Sequence, residues 1–407
     1  MDTSNNQAAA QKEISFQNGG RVYLSLGLKV NKLSGIYIHI PFCKRACHYC
    51  DFHFSTNSSQ MEAMVSAICK ELELRKDFLG SDQIIKTVYF GGGTPSLVPT
   101  DLLKKIMEQI SAYYETDLEE VTLEANPDDL SDKNLEQWKA LGIDRLSIGI
   151  QTFDENVLRF YNRAHTGEES LLAIQRAKAA GFGKLSIDLI YGFPAMDHGI
   201  FLADLDIALE QDPGHISSYC LTVEPKTVLG NWEMKGKFQS ATEDFAAEQF
   251  EILMDRLEGA GYIQYEISNF GKPGNFALHN TNYWKSVPYL GIGPSAHSYD
   301  GKNRGANIAN NARYIKGMEN GLSPYNVETL AGADRVNEYI LTSLRTIWGL
   351  DIDRVSALSG VDFVAGKVKL LEKLYSEKLV LLKDNYLFLT RKGKFLADSI
   401  AASLFIE

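Results

Sequence analysis

Three cysteines, Cys43, Cys47 and Cys50, lie within eight positions as C-x3-C-x2-C. Thiolates at such spacing hold zinc or an iron-sulfur cluster. Either group closes on four protein ligands, and here a fourth thiol is missing. On a 4Fe-4S cluster the shortfall leaves one iron open to a ligand that is not protein. S-adenosylmethionine (SAM) can take that iron through its amino and carboxylate groups and be cleaved by one electron. Zinc is the rival reading, with His39, His48 or His53 as the fourth ligand. Zinc ligands usually come as two well-separated Cys/His pairs, and no second pair is evident. A disulfide fits poorly with five cysteines and no secretory signal. Cys69 in an apolar helical stretch and Cys220 in an apolar strand read as small buried hydrophobes.

The elements that must position these thiols follow from periodicity. Short apolar runs alternate with amphipathic stretches from Ile36 to about Val223. Strands are predicted at 35–40, 87–91, 120–125, 145–150, 185–191 and 215–223. A helix opens at Ser59, with Glu62 placed for a capping box, and others cover 101–114, 131–141, 168–180 and 200–211. Strands each followed by a helix imply right-handed parallel crossovers. The fold class is therefore α/β, a partial parallel (β/α)6 barrel over residues 35–240, with a doubly wound sheet as the alternative. Residues 241–325 read as a helix and a loop-rich block of Gly, Asn and aromatics. Residues 326–407 read as three helices, a hairpin across Asp384-Asn385 and a last helix, a winged-helix-like domain. Residues 1–34 are polar, lack apolar periodicity and read as a disordered extension.

Composition narrows the function. Hydrophobic content is 44% and net charge is −11. That balance argues against nucleic-acid binding, which needs clustered Lys and Arg. In the last domain Lys and Arg alternate with acids, so it is expected to pack or cover rather than bind DNA. No apolar run reaches the roughly 18 residues of a membrane span, and no signal-peptide h-region is present. A cytoplasmic location is expected, with peripheral membrane contact left open.

In a parallel barrel, ligands bind at the carboxyl ends of the strands. The chemically loaded residues fall there repeatedly. Cys43 to Cys50 follow the first strand, Gly91-Gly92-Gly93-Thr94-Pro95 the second. Glu124 ends the third, Gln151 the fourth, Asp188 to Pro194 the fifth and Glu224 the sixth. This placement favours the barrel. Glycine allows backbone to approach a small zwitterion closely. A carboxylate such as Glu124 can bind ribose hydroxyls. Arg163 can pair bidentately with a carboxylate, against the ordinary reading of a surface ion pair. Asp188, in an apolar strand, needs a partner if buried.

Tyr37–Phe52 resembles the cluster loop of the radical-SAM superfamily. Within it, IHIPFC (38–43) and CHYCDF (47–52) are similar to the oxygen-independent coproporphyrinogen III oxidase group. So are FGGGTPS (90–96), EANPD (124–128), SIGIQTF (147–153), DLIYGFP (188–194) and YEISNF (265–270). The oxidases carry a fourth Cys two positions after the third, where this chain has Phe52. His279-Asn280-Thr281-Asn282-Tyr283-Trp284 is similar to the H-N-x-x-Y-W motif of the HemW-type haem chaperone branch. The resemblance implies that Cys43, Cys47 and Cys50 hold a 4Fe-4S cluster. It implies SAM contacts from Tyr37, Gly92, Gly93, Thr94, Glu124, Gln151, Arg163 and Asp188. The stretch around Arg163 departs from the group at Asn162, so Arg163 is the weakest match among them. The resemblance associates His279, Tyr283 and Trp284 with haem, the imidazole as axial ligand and the aromatic faces against porphyrin.

Three functions follow as alternatives. The first is a haem chaperone that binds haem and delivers it to a client haemoprotein, with SAM and the cluster regulating transfer or supplying an electron. The second is a coproporphyrinogen III oxidase, disfavoured by Phe52. The third is a zinc-stabilised binding module. No catalytic residue is assigned, and neither client nor oligomeric state is readable.

Overall fold

The computed structural model describes residues 33–406 and the backbone of two paired strands, β1 (Gln11–Ser15) and β2 (Arg21–Ser25). The expectation of a disordered extension over 1–34 falls largely outside the described residues. Leu33 and Ser34 already belong to the first core strand.

Six parallel strands form the core: β3 (Leu33–Ile40), β4 (Ile84–Gly92), β5 (Thr116–Ala125), β6 (Arg145–Gln151), β7 (Lys184–Tyr191) and β8 (Gly214–Cys220). Helices Met61–Leu74, Thr100–Tyr113, Asp132–Ala140, Gly167–Ala179 and Gly199–Gln211 connect them. This is the expected partial (β/α)6 barrel. Alternation explains both faces. Ile36, Ile38, Ile40, Val88, Phe90, Leu123, Leu146, Ile148, Ile187 and Ile216 are buried in one continuous core. On helix Thr100–Tyr113 they meet Leu102, Leu103, Ile106 and Ile110, one apolar face. The intervening strand residues are polar and face the other way. The capping box expected at Ser59 does not form, because the helix starts one residue later with Gln60 as an unbonded cap. A complete box occurs at Thr166 and Glu169.

The block after helix Glu243–Gly259 holds more structure than its composition suggests. It supplies β9 (Ile263–Glu266), β10 (Asn269–Gly271), β11 (Tyr289–Ile292), β12 (His297–Tyr299) and β13 (Asn303–Asn307), followed by β14 (Tyr325–Thr329). Strands of three to five residues are too short to show a period. The sheet runs β14-β13-β12-β11-β3-β4-β5-β6-β7-β8-β10-β9. β11 pairs parallel with β3, a seventh parallel strand that the sequence pattern does not reveal. Gly291 is its tightest point: a Cβ there would stand 1.9 Å from the His297 carbonyl oxygen. Gly291→Ala is expected to cost about 3 kcal/mol by forcing β11 away from β12, read as a lower denaturant midpoint with unchanged slope.

The C-terminal domain has its own core around Ile340, Leu344, Val355, Phe363, Leu387 and Ile400. Helices Gly332–Leu344, Ile352–Ser359, Phe363–Ser376 and Ala397–Leu404 surround a small sheet of β15 (Leu350–Asp351), β16 (Val380–Lys383) and β17 (Tyr386–Leu389). It docks through Arg345, whose Nε donates to buried Glu266 at 3.0 Å. Among the described residues no helix is long and apolar enough to cross a membrane.

Candidate functional site

The polar strand face lines the barrel interior in layers. At the base, buried Arg145 donates to Glu120 at 2.8 Å and to Ser186 at 3.2 Å. Thr87 and His215 share this layer. Above it, Tyr37 pairs in register with Tyr89 and Tyr89 with Thr122, while Asp188 pairs with Ser217. Towards the carboxyl rim His39 pairs with Gly91, and Glu124 with Ser147, whose hydroxyl lies 3.5 Å from Asp188 Oδ1.

The expected SAM-contact residues mostly converge at this rim. Tyr89 donates to Glu124 Oε1 at 2.8 Å, and the Gly92 amide donates to its Oε2 at 3.1 Å. Tyr37 stacks on Tyr89 with centroids 6.0 Å apart. A Cβ on Gly91 would come within 3.0 Å of Tyr37, Tyr89 and Glu124, so only glycine lets these three meet. The amides of Gly93 and Thr94 donate to the Ile40 and Phe42 carbonyls at 2.8 and 2.7 Å. The glycine turn therefore braces the cysteine loop and can offer a ligand acceptors rather than donors. Gln151 ends β6 at φ 70°, left-handed backbone at the rim. Arg163 is held by the Gly149 carbonyl at 2.7 Å and Asn126 at 2.8 Å. Its Nη1 lies 3.3 Å from Cys47 Sγ and its buried Nε has no partner among the described residues.

Burial, reinforced by the Asp188 charge, pushes Glu124 up to about 7, although the Tyr89 and Gly92 hydrogen bonds pull the other way. Burial likewise pushes Asp188 up to about 6, against Ser217 and Arg163. Both carboxylates take protons more readily folded than unfolded. Their stabilisation is complete below the ordinary carboxylate range and is lost as pH rises through about 6 to 7. Denaturation midpoints should fall between pH 5 and pH 7.5 (about 1–3 kcal/mol), and Glu124→Gln should flatten the decline.

The cysteine loop is preformed. Cys43 N donates to the Ser55 carbonyl, His48 N to that of Tyr161 and Cys50 N to that of Cys47. Asn162 Nδ2 donates to the Ala46 carbonyl at 2.8 Å. All three thiols are half-buried and free. Burial raises Cys43 and Cys50, so coordination must take their protons. Phe52, in place of a fourth cysteine, is 69% exposed. His39, a zinc-ligand candidate, has both ring nitrogens engaged, by Tyr37 and by the His53 carbonyl. Three thiols beside an unpaired buried guanidinium nitrogen fit a cluster with an open iron and a carboxylate-bearing ligand. Cys220, expected to be buried, is exposed where β8 ends.

The haem expectation meets a different geometry. His279 is 2% exposed, with Nδ1 2.7 Å from Thr87 Oγ1 and Nε2 2.9 Å from the Tyr283 hydroxyl. Burial lowers it to about 3. Its ring stacks under Tyr89 at 5.1 Å. Neither nitrogen is available to iron in this conformation, so helix Leu278–Trp284 is the floor of the barrel rather than an open haem face. Trp284 faces the C-terminal domain, with the Arg345 guanidinium 5.5 Å from its ring. Tyr89 and Ser217, which help complete the site, lie outside every motif, and only their alternate positions in predicted strands mark them; Ser147 and Asn126 lie within SIGIQTF and EANPD without being singled out.

Comparison with known proteins agrees with this architecture. Residues 37–204 match the Radical SAM superfamily model and residues 330–396 the HemN C-terminal domain. The chain is 34% identical to "Heme chaperone HemW" of Bacillus subtilis, over 90% of this chain and 98% of that one. It is 30% identical to the protein of the same name from Lactococcus lactis, over 93% and 99%. Coproporphyrinogen III oxidase (HemN) from Escherichia coli, a radical SAM enzyme, superposes with TM-score 0.79 at 22% identity, over 92% of this chain and 90% of that one. That likeness shows the fold. With identity sustained over nearly the whole length of both chains, the protein belongs to the radical SAM superfamily and, within it, to the HemW family.

Proposed function

We propose that this chain is a haem chaperone of HemW type, carrying haem and a 4Fe-4S cluster with SAM and delivering haem to client haemoproteins. The observation that carries this reading is the preformed three-thiol loop with exposed Phe52 in place of a fourth cysteine, in a chain related throughout to proteins named heme chaperones. Cys43, Cys47 and Cys50 would hold the cluster. When bound, the cluster supplies an open iron for an amino-acid ligand and a one-electron donor. Arg163 and Asn126 would bind the SAM carboxylate. Glu124 and Asp188, on the polar inner face, would accept from hydroxyl or ammonium donors of SAM, with Tyr37, Gln151 and the Gly92–Thr94 turn around it. The client is a haemoprotein, and any membrane contact is peripheral and through that client.

The test is anaerobic haem titration with and without reconstituted cluster, followed by transfer to an apo-haemoprotein acceptor. A Soret band that moves to the acceptor supports the reading. Turnover of coproporphyrinogen would instead favour an oxidase, and a colourless protein with one zinc a binding module.

A further inference from the structure

The cysteine loop presents a second chemical group. His48 stands between Cys47 and Cys50, and its Nδ1 lies 2.6 Å from the Phe160 carbonyl oxygen. A ring nitrogen bonded to a carbonyl carries the proton, which leaves the lone pair on Nε2. That nitrogen has no hydrogen-bond partner among the described residues, and the residue is half-buried. This is the tautomer and orientation of an iron-ligating imidazole.

The surroundings suit a flat apolar ligand with acidic edges. Trp232 meets the His48 ring edge-on at 4.7 Å. Phe160 joins Trp232 at 5.8 Å and Phe238 at 5.5 Å. Met234, on the same short helix Val228–Met234, is 71% exposed. That helix is tied to the loop by the Leu229 amide, 2.9 Å from the His48 carbonyl oxygen. Lys235 and Lys237 follow it and are exposed, with the Lys237 amide 2.8 Å from the Trp232 carbonyl oxygen. Aromatic faces pack on porphyrin, and ammonium groups pair with propionates.

We propose that His48 Nε2 is an axial ligand of haem iron, with the porphyrin lying against Trp232, Phe238 and Met234 and its propionates directed to Lys235 and Lys237. This rests on the haem-binding reading above and gives it a location that His279 does not offer. Haem and cluster then share one loop.

The test titrates haemin into the full-length, cluster-reconstituted protein and into His48→Gln and His48→Met. The Gln amide can still donate to the Phe160 carbonyl but supplies no imidazole. His48→Gln should lose the imidazole-ligated ferric signal and bind haem about tenfold or more weakly, with cluster iron and sulfide content unchanged. Added imidazole should restore the signal. His48→Met should give a thioether-ligated spectrum. An unchanged Soret band and paramagnetic resonance spectrum in both variants would overturn the His48 assignment and leave the chaperone reading standing. A wild-type protein without any Soret band would overturn both. Should His48→Gln lose its cluster, the His48→Met spectrum decides alone: a shifted ligand signature supports the assignment and an unshifted one defeats it.

Discussion

Cys47→Ala should reduce cluster iron and sulfide to background while leaving the fold in place. The loop's shape does not depend on its thiols. Backbone bonds to Ser55, Tyr161 and Leu229 and the Asn162 amide hold it from three sides. Cys47 Sγ touches the Arg163 guanidinium, which keeps its anchors on Gly149 and Asn126 when the sulfur is gone. Removing one of three thiolates leaves two corners held, too few to retain a cubane whose fourth corner is already without a protein ligand. The measurement pairs iron and sulfide analysis of anaerobically reconstituted protein with circular dichroism. Full cluster content in Cys47→Ala would show that the ligand set is wrong, and loss of the dichroism spectrum would show that the loop needs its thiols to fold.

Glu120→Ala should do the reverse, destabilising the protein by about 3–5 kcal/mol. Glu120 is 2% exposed and accepts from Arg145 Nε at 2.8 Å, from the Leu278 amide at 3.0 Å and from the His279 amide at 2.9 Å. Truncation strands a guanidinium that is 1% exposed and frees two amides at the start of helix Leu278–Trp284. His279 stacks under Tyr89, which bonds Glu124, so loss of the floor should also loosen the rim. Chemical denaturation checks the first effect, and the Glu124-dependent pH profile checks the second. A midpoint within about 0.5 kcal/mol of wild type would mean the pair contributes little.

The outer half of the barrel was legible in the sequence because burial against helices demands apolar residues at every second position. Ile36, Ile38 and Ile40 on β3, or Leu146, Ile148 and Ile150 on β6, announce themselves. The inner half carries the chemistry but shows only as polar residues interleaved in those runs: Tyr37 and His39, or Ser147 and Gly149. Motifs picked out the cysteines, Glu124 and Asp188. They did not pick out Tyr89 or Ser217, whose roles come from neighbours on other strands. His279 sits in a loop-like stretch, and its burial was unreadable because it depends on Thr87 and Glu120, distant in sequence. β11 escaped for the same reason: its pairing with β3 is set by position, not by its four residues.

That pairing also bears on how the chain is made. β3 is the first core strand synthesised, yet one of its two flanks stays bare until Tyr289–Ile292 arrives, after nearly all the core has been translated. An open flank on an apolar strand is a template for pairing with other chains. A fragment ending near residue 240 keeps every cluster ligand and every rim carboxylate, but it should precipitate or swap strands. Premature termination or proteolytic nicking before β11 would yield a species fit for clearance rather than a minimal functional unit.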